Sequence, residues 1–143
     1  MNGKPECHCQ IPFEEMFVRA FNVLAIDAHM TAVEKGWHVN RRAIVEACEN
    51  VSPELGRAAK LAVEGQTIAL VQSELSEALE GLRHGNPPDD KVPAFTAQEA
   101  EFADVIIRIM DTAVENRLRI GEAVVAKMAM NRGRERMHGG KSF

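Results

Sequence analysis

Tyrosine is absent from this chain of 143 residues, and aromatic side chains make up only 5% of it. That leaves little material for the aromatic platforms on which single-stranded nucleic acids stack, and it weakens any case for β-sheet. Cysteine is scarce as well. Three cysteines cannot build a disulfide framework, and Cys7-His8-Cys9 has poor spacing for zinc, with no second ligand pair after it. Cys48 falls in a helical pattern and reads as a small core residue. No run is long and apolar enough to span a bilayer, and Met1 to Gln10 lacks the apolar core of a signal peptide. A cytoplasmic protein with no membrane contact is expected. An excess of positive charge is also missing, since the formal net charge is −4, which argues against nucleic acid as a partner. The C-terminus is the exception. From Asn131 to Phe143, Arg132, Arg134, Arg136 and Lys141 stand against Glu135 alone. That stretch either meets phosphate or is a solvated, frayed end.

What is present is helix-forming. Hydrophobic residues make up 45% of the chain, enough for one packed domain. The apolar spacing is helical nearly throughout. Phe13, Phe17, Phe21, Leu24 and Ala28 line one face of a helix over about Pro12–Lys35, with Gly36 as its stop. Asn40 can cap a short helix from Arg41 to about Glu49, and Ser52-Pro53 starts another. Gly65 either breaks that helix or only weakens it. A strong helix then covers Gln66 to Leu82, with Ile68, Val71, Leu75, Ala78, Leu79 and Leu82 on its apolar side. Gly85, Asn86, Pro87, Pro88 and Pro93 make Arg83–Phe95 a loop. Thr96 and Glu99 form a capping box for a helix from Ala97 to about Asn116, with Ala103, Ile106, Ile107, Met110 and Val114 as its core side. A turn near Arg119–Gly121 leads to a last helix over Glu122–Arg134, closed by His138-Gly139-Gly140. The seven methionines read as core fillers. The expected fold is all-α, a bundle of four main helices. A polar segment (1–11), a helical domain (12–134) and a basic tail (135–143) make up the chain.

Two acidic pairs carry the chemistry. Glu74 and Glu77 are three apart on one helix, and Glu101 and Asp104 are three apart on the next. Such spacing puts both carboxylates of a pair on one face. Pair counting alone proves nothing. Twenty-one acids in 143 residues give about three such pairs by chance, and four occur, counting Glu46/Glu49 and Glu77/Glu80. Context says more, because both pairs are embedded in apolar sequence. Antiparallel helices joined by the proline loop can bring all four carboxylates together, where they repel unless a cation neutralises them. Oxygen ligands alone select a hard ion, Mg²⁺ or Mn²⁺. On the last helix Lys127, Asn131 and Arg134 share a face, either a grip for phosphate and a base or sugar edge or an ordinary solvated surface. Arg108, four residues after Asp104, either orients that carboxylate or forms a plain helix ion pair.

Ser73-Glu74-Leu75-Ser76-Glu77-Ala78-Leu79-Glu80-Gly81-Leu82-Arg83 resembles the first metal-binding helix of MazG-like nucleotide pyrophosphohydrolases. Glu101-Phe102-Ala103-Asp104-Val105-Ile106-Ile107-Arg108-Ile109-Met110-Asp111 resembles the second, and together they look like the family's E-x-x-E … E-x-x-D signature. Lys127-Met128-Ala129-Met130-Asn131-Arg132, followed by His138-Gly139-Gly140-Lys141, looks like the tail of a small subgroup, and the Lys35-Gly36-Trp37 turn also fits. The likeness covers about Phe17 to Phe143. It departs at Ser73, where many relatives carry an acid, and at Met130, where an aromatic residue is common. The stretch 39–64 is longer than expected and reads as an insertion. The resemblance implies hydrolysis of a ribo- or deoxyribonucleoside triphosphate to the monophosphate and pyrophosphate. It implies a homodimer, Mg²⁺ or Mn²⁺ on Glu74, Glu77, Glu101 and Asp104, and one of these carboxylates as base. Lys127, Asn131 and Arg134 would bind the nucleotide, with His29 and Trp37 at the base. The alternative is a non-catalytic helical module that senses nucleotides or scaffolds a partner through a degenerate site.

Overall fold

Caps and turns divide the chain into five helices in the structure, a computed structural model that describes residues 12–134. Helix α1 (Phe13–Glu34) stops at Gly36, whose φ of +74° is a left-handed conformation that glycine adopts at no steric cost. The Gly36 amide donates to the Val33 carbonyl and the Trp37 amide to the Ala32 carbonyl, both at 3.0 Å, which closes the helix as a Schellman turn. Helix α2 (Val39–Val51) follows at once. The expected cap at Asn40 is not used. The Val39 amide already donates to the Gly36 carbonyl at 3.2 Å, so the helix begins behind His38 and Asn40 falls inside its first turn.

Ser52 starts α3 (Pro53–Arg83) as its sequence predicts, its hydroxyl accepting the Leu55 amide at 3.1 Å with Pro53 at the first helical position. Gly65 does not interrupt this helix of 31 residues, so no second start at Gln66 exists. Thr96 and Glu99 form the capping box of α4 (Ala97–Glu115), both reciprocal bonds being present. The last turn comes earlier than its sequence suggests. Arg117 takes a left-handed φ of 53°, and the Leu118 amide donates to the Ala113 carbonyl at 2.8 Å. Helix α5 (Ile120–Arg132) therefore contains Gly121.

All-α is thus the observed class, with five helices among the described residues, the short α2 among them. The isolated bridge Pro88–Thr96 is the one strand-like pairing among the described residues. Helix α4 is central, packing against α3 on one side and α1 on the other, while α2 lies on α3 and α5 on α1. Helices α3 and α4 run antiparallel. Gly81 sits against Ala97, Glu77 faces Glu101, and Glu74 reaches on to Arg108. By length and composition α1 also reaches what a membrane crossing requires, contrary to the sequence expectation.

The buried apolar residues are Ala25, Ala32, Ala78, Met110 and Ala113, and no Leu, Ile, Val or Phe is buried among the described residues. Several expected core positions are open. On α1 Phe13 and Leu24 are exposed, on α3 Ile68, Leu75, Leu79 and Leu82, and on α4 Ile106 and Ile107. Cys48 is half-buried. Met110 is the buried methionine, whereas Met16, Met30, Met128 and Met130 are exposed, so they do not fill a core in the single chain. The physical reason is common to all of these. Small residues fill the places where the helices approach most closely, and the large apolar side chains lie outside those places, Leu24, Ile106 and Ile107 on an open groove. Cys7-His8-Cys9, the 1–11 segment, the 135–143 tail and the His138-Gly139-Gly140 stop lie outside the described residues.

Candidate metal and nucleotide site

Antiparallel packing of α3 and α4 brings three of the four predicted carboxylates together. Glu74, Glu77 and Glu101 each offer an oxygen within 4.8 Å of the others. Glu74 is 6% exposed, and Arg108 crosses from α4 to hold it, with Nε 2.6 Å from Oε1. Arg108 therefore serves Glu74 on the neighbouring helix rather than Asp104 on its own. Burial pushes the Glu101 carboxyl up to about 7, with help from its hydrogen bond to Glu74 and the charges of Glu77, Glu74 and Asp104. A carboxyl in that state holds a proton that a cation can replace. Asp104 is exposed and lies outside the tight trio, yet its charge reaches Glu101. Ser73 donates its hydroxyl to the Leu70 carbonyl at 2.8 Å.

Asp104 and Arg108 also border a groove of about 920 Å³ between α1 and α4. Its apolar wall includes Leu24, Ile106 and Ile107, and its polar groups include Asp27, Thr31 and Arg41. Trp37, 61% exposed, stands at the end of α1 with its indole on this groove. A half-apolar groove with a carboxylate and a guanidinium on its border can take a flat ring against its apolar wall.

The other predicted binding residues lie elsewhere. Lys127, Asn131 and Arg134 are exposed at the end of α5, which packs on α1, and none of them lines the groove. His29 does not line it either. Its Nδ1 is 2.8 Å from Asp111 Oδ1, and His38 Nε2 is 2.9 Å from the same oxygen. Beside them Glu115 is gripped by Arg42 through Nε at 3.0 Å and Nη2 at 2.5 Å. The Arg42 hydrogen bond holds the Glu115 carboxyl below its ordinary value against the effect of burial, and His38 and His29 add to the lowering. Sequence reasoning missed His38, Arg42, Asp111 and Glu115. The signal was there, because Glu101, Asp104, Arg108, Asp111 and Glu115 recur at steps of 3, 4, 3 and 4 and form one polar stripe along α4.

No family model, curated protein or solved structure matches this chain.

Proposed function

We propose that the protein is a Mg²⁺-dependent nucleotide pyrophosphohydrolase that converts a ribo- or deoxyribonucleoside triphosphate and water to the monophosphate and pyrophosphate. The observation that carries this reading is the trio Glu74, Glu77 and Glu101, joined through Arg108, which holds Glu74, to the groove that Arg108, Asp104 and Trp37 border. The donors fit a hard divalent cation. They are all carboxylate oxygens, and the proton held by Glu101 marks a charge excess that such an ion relieves. Mn²⁺ satisfies the same donors.

When bound, the cation neutralises the polyphosphate and supplies Lewis acidity at the scissile phosphoryl group. The chain's own residues supply the rest. Arg108 fixes Glu74 so that its carboxylate keeps one orientation. Glu77 is exposed and is the choice for the base that takes the proton from the attacking water. That water attacks the α-phosphorus, the bond to the α,β-bridging oxygen breaks, and pyrophosphate departs. Trp37 offers its face to the base.

A homodimer belongs to the same reading. The exposed stripe Ile68, Leu75, Leu79 and Leu82 on α3 asks for a cover, and a second copy would bring its own Lys127, Asn131 and Arg134 to the nucleotide. A cytoplasmic setting suits this substrate. A second reading, a non-catalytic nucleotide sensor, draws on Ser73, which is bonded to its own helix instead of supplying another acid. Pyrophosphate release from a panel of triphosphates, with Mg²⁺, Mn²⁺ or EDTA, separates the two. Metal-dependent release that Asp104→Asn abolishes supports the hydrolase, and tight nucleotide binding without release supports the sensor.

A further inference from the structure

About three turns further along α4 from Glu101 lies a cluster of different chemistry. Asp111 Oδ1 stands 2.8 Å from His29 Nδ1 and 2.9 Å from His38 Nε2. An ionised carboxylate only accepts hydrogen bonds, so each ring nitrogen facing it is the N–H. When the rings are neutral, the opposite nitrogens, His29 Nε2 and His38 Nδ1, carry the lone pairs, and both face Glu115. His29 Nε2 is 3.7 Å from Oε2, and His38 Nδ1 is 3.9 Å from Oε1.

Three Lewis bases therefore converge, one from each of three segments: α1, the residue that leads into α2, and α4. Ligand atoms from His29, His38 and Glu115 all lie within 4.8 Å of one another. Ligands on a tetrahedral Zn²⁺ stand about 3.4 Å apart, so a set already within 4.8 Å has to draw in by about 1.4 Å at most, within reach of side-chain rotation. The outer shell is already built, because a metal-bound imidazole characteristically gives its other N–H to a carboxylate, and Asp111 receives both. The local charge favours a cation. With neutral imidazoles, Arg42 offsets one of the two carboxylates, and the adjoining cavity of about 400 Å³ adds Glu46, Glu49 and Glu64 against Arg41 and Lys60.

We propose that His29, His38 and Glu115 bind a borderline divalent cation, Zn²⁺ by preference. Asp111 orients both rings, and the cavity beside His38 gives access to a fourth position. The mixed nitrogen and oxygen donors separate this site from the all-oxygen trio on Glu74, Glu77 and Glu101. Binding ties α1 and the start of α2 to α4. Arg42 shares Glu115 with the cation through the remaining carboxylate lone pairs.

The test uses the full chain with excess Mg²⁺ present and Co²⁺ as the optical stand-in for Zn²⁺. The expected result is one Co²⁺ per chain with visible d–d bands of low-coordinate cobalt, displaced by Zn²⁺. Glu77→Gln and the Cys7→Ser/Cys9→Ser pair keep the bands, and His29→Ala and His38→Gln lose them. Asp111→Asn weakens Zn²⁺ binding about 10–100-fold. Because a histidine variant can fail to fold, the wild type is also followed by ¹⁵N NMR of its imidazoles. Zn²⁺ should move the His29 Nε2 and His38 Nδ1 resonances. Imidazole resonances that answer to pH and ignore Zn²⁺, or cobalt bands that survive both histidine substitutions, would overturn the assignment.

Discussion

Arg108 and Glu74 bridge the α3–α4 seam, with Nε 2.6 Å and Nη2 2.5 Å from the same oxygen, Oε1, of a carboxylate that is otherwise buried. Taking the guanidinium away leaves Glu74 charged, buried and crowded by Glu77 and Glu101. Arg108→Gln should therefore destabilise the metal-free protein by about 1–3 kcal/mol, less than a fully buried pair because solvent reaches the arginine. Urea denaturation measures this. Mg²⁺ should recover part of the loss, since it takes over the neutralising role.

The carboxyl of Glu101 predicts an unusual pH response. Its folded value of about 7 lies above the ordinary 4.5. Between those values the folded chain holds a proton that the unfolded chain has released, so this group's contribution to stability falls as pH rises from about 4.5 to 7. Thermal melts in EDTA across that window should show the decline. Glu101→Gln should remove it, and saturating Mg²⁺ should flatten it. A decline of the same size in Glu101→Gln would refute the assignment.

Two glycines of α3 should respond to alanine with opposite sign. A β-carbon on Gly56 would lie 2.2 Å from Glu49 Cγ and 3.0 Å from its Cα, where α2 and α3 meet. Backbone cannot step aside as a side-chain tip can, so Gly56→Ala should cost about 1–3 kcal/mol. Gly65 has nothing within 4 Å of the same position. Gly65→Ala should stabilise by about 0.5–1 kcal/mol, the ordinary helix-interior gain. Chemical denaturation midpoints of the two variants decide both.

Ile68, Leu75, Leu79 and Leu82 form an exposed apolar stripe on α3. If a second copy covers it, the wild type sediments as a dimer, and Leu75→Lys with Leu79→Lys sediments as a folded monomer. An unchanged sedimentation coefficient would place the dimer contact elsewhere.

Much of this arrangement is readable along the chain because it is set locally. Ser52-Pro53, Thr96 with Glu99 and the glycine at position 36 act over a few residues, and each does in the structure what its chemistry dictates. Gly65 was ambiguous because its cost, about 1 kcal/mol, is decided by the thirty other residues of the helix. The acidic pairs show in the spacing, but their degree of convergence does not. Whether Asp104 joins the other three depends on the rotation of α4 against α3. The histidine cluster is less legible still. His29 and His38 meet at Asp111 across 82 and 73 residues, and only the packing of α1 on α4 and of α2 on α3 brings them there. The apolar count on α4 points to Ile106 and Ile107, which are exposed, while the polar stripe from Glu101 to Glu115 carries the contacts to Glu74, His29, His38 and Arg42.

The most direct test of the central claim is the product balance of a single incubation. The purified chain is mixed with a deoxynucleoside triphosphate and Mg²⁺, and monophosphate, pyrophosphate and orthophosphate are counted. The account predicts monophosphate and pyrophosphate in equal amounts with no orthophosphate, stopped by EDTA and reduced at least 100-fold by Glu77→Gln. Orthophosphate with a diphosphate product, or no product from any triphosphate tried with folded, Mg²⁺-loaded protein, would contradict it.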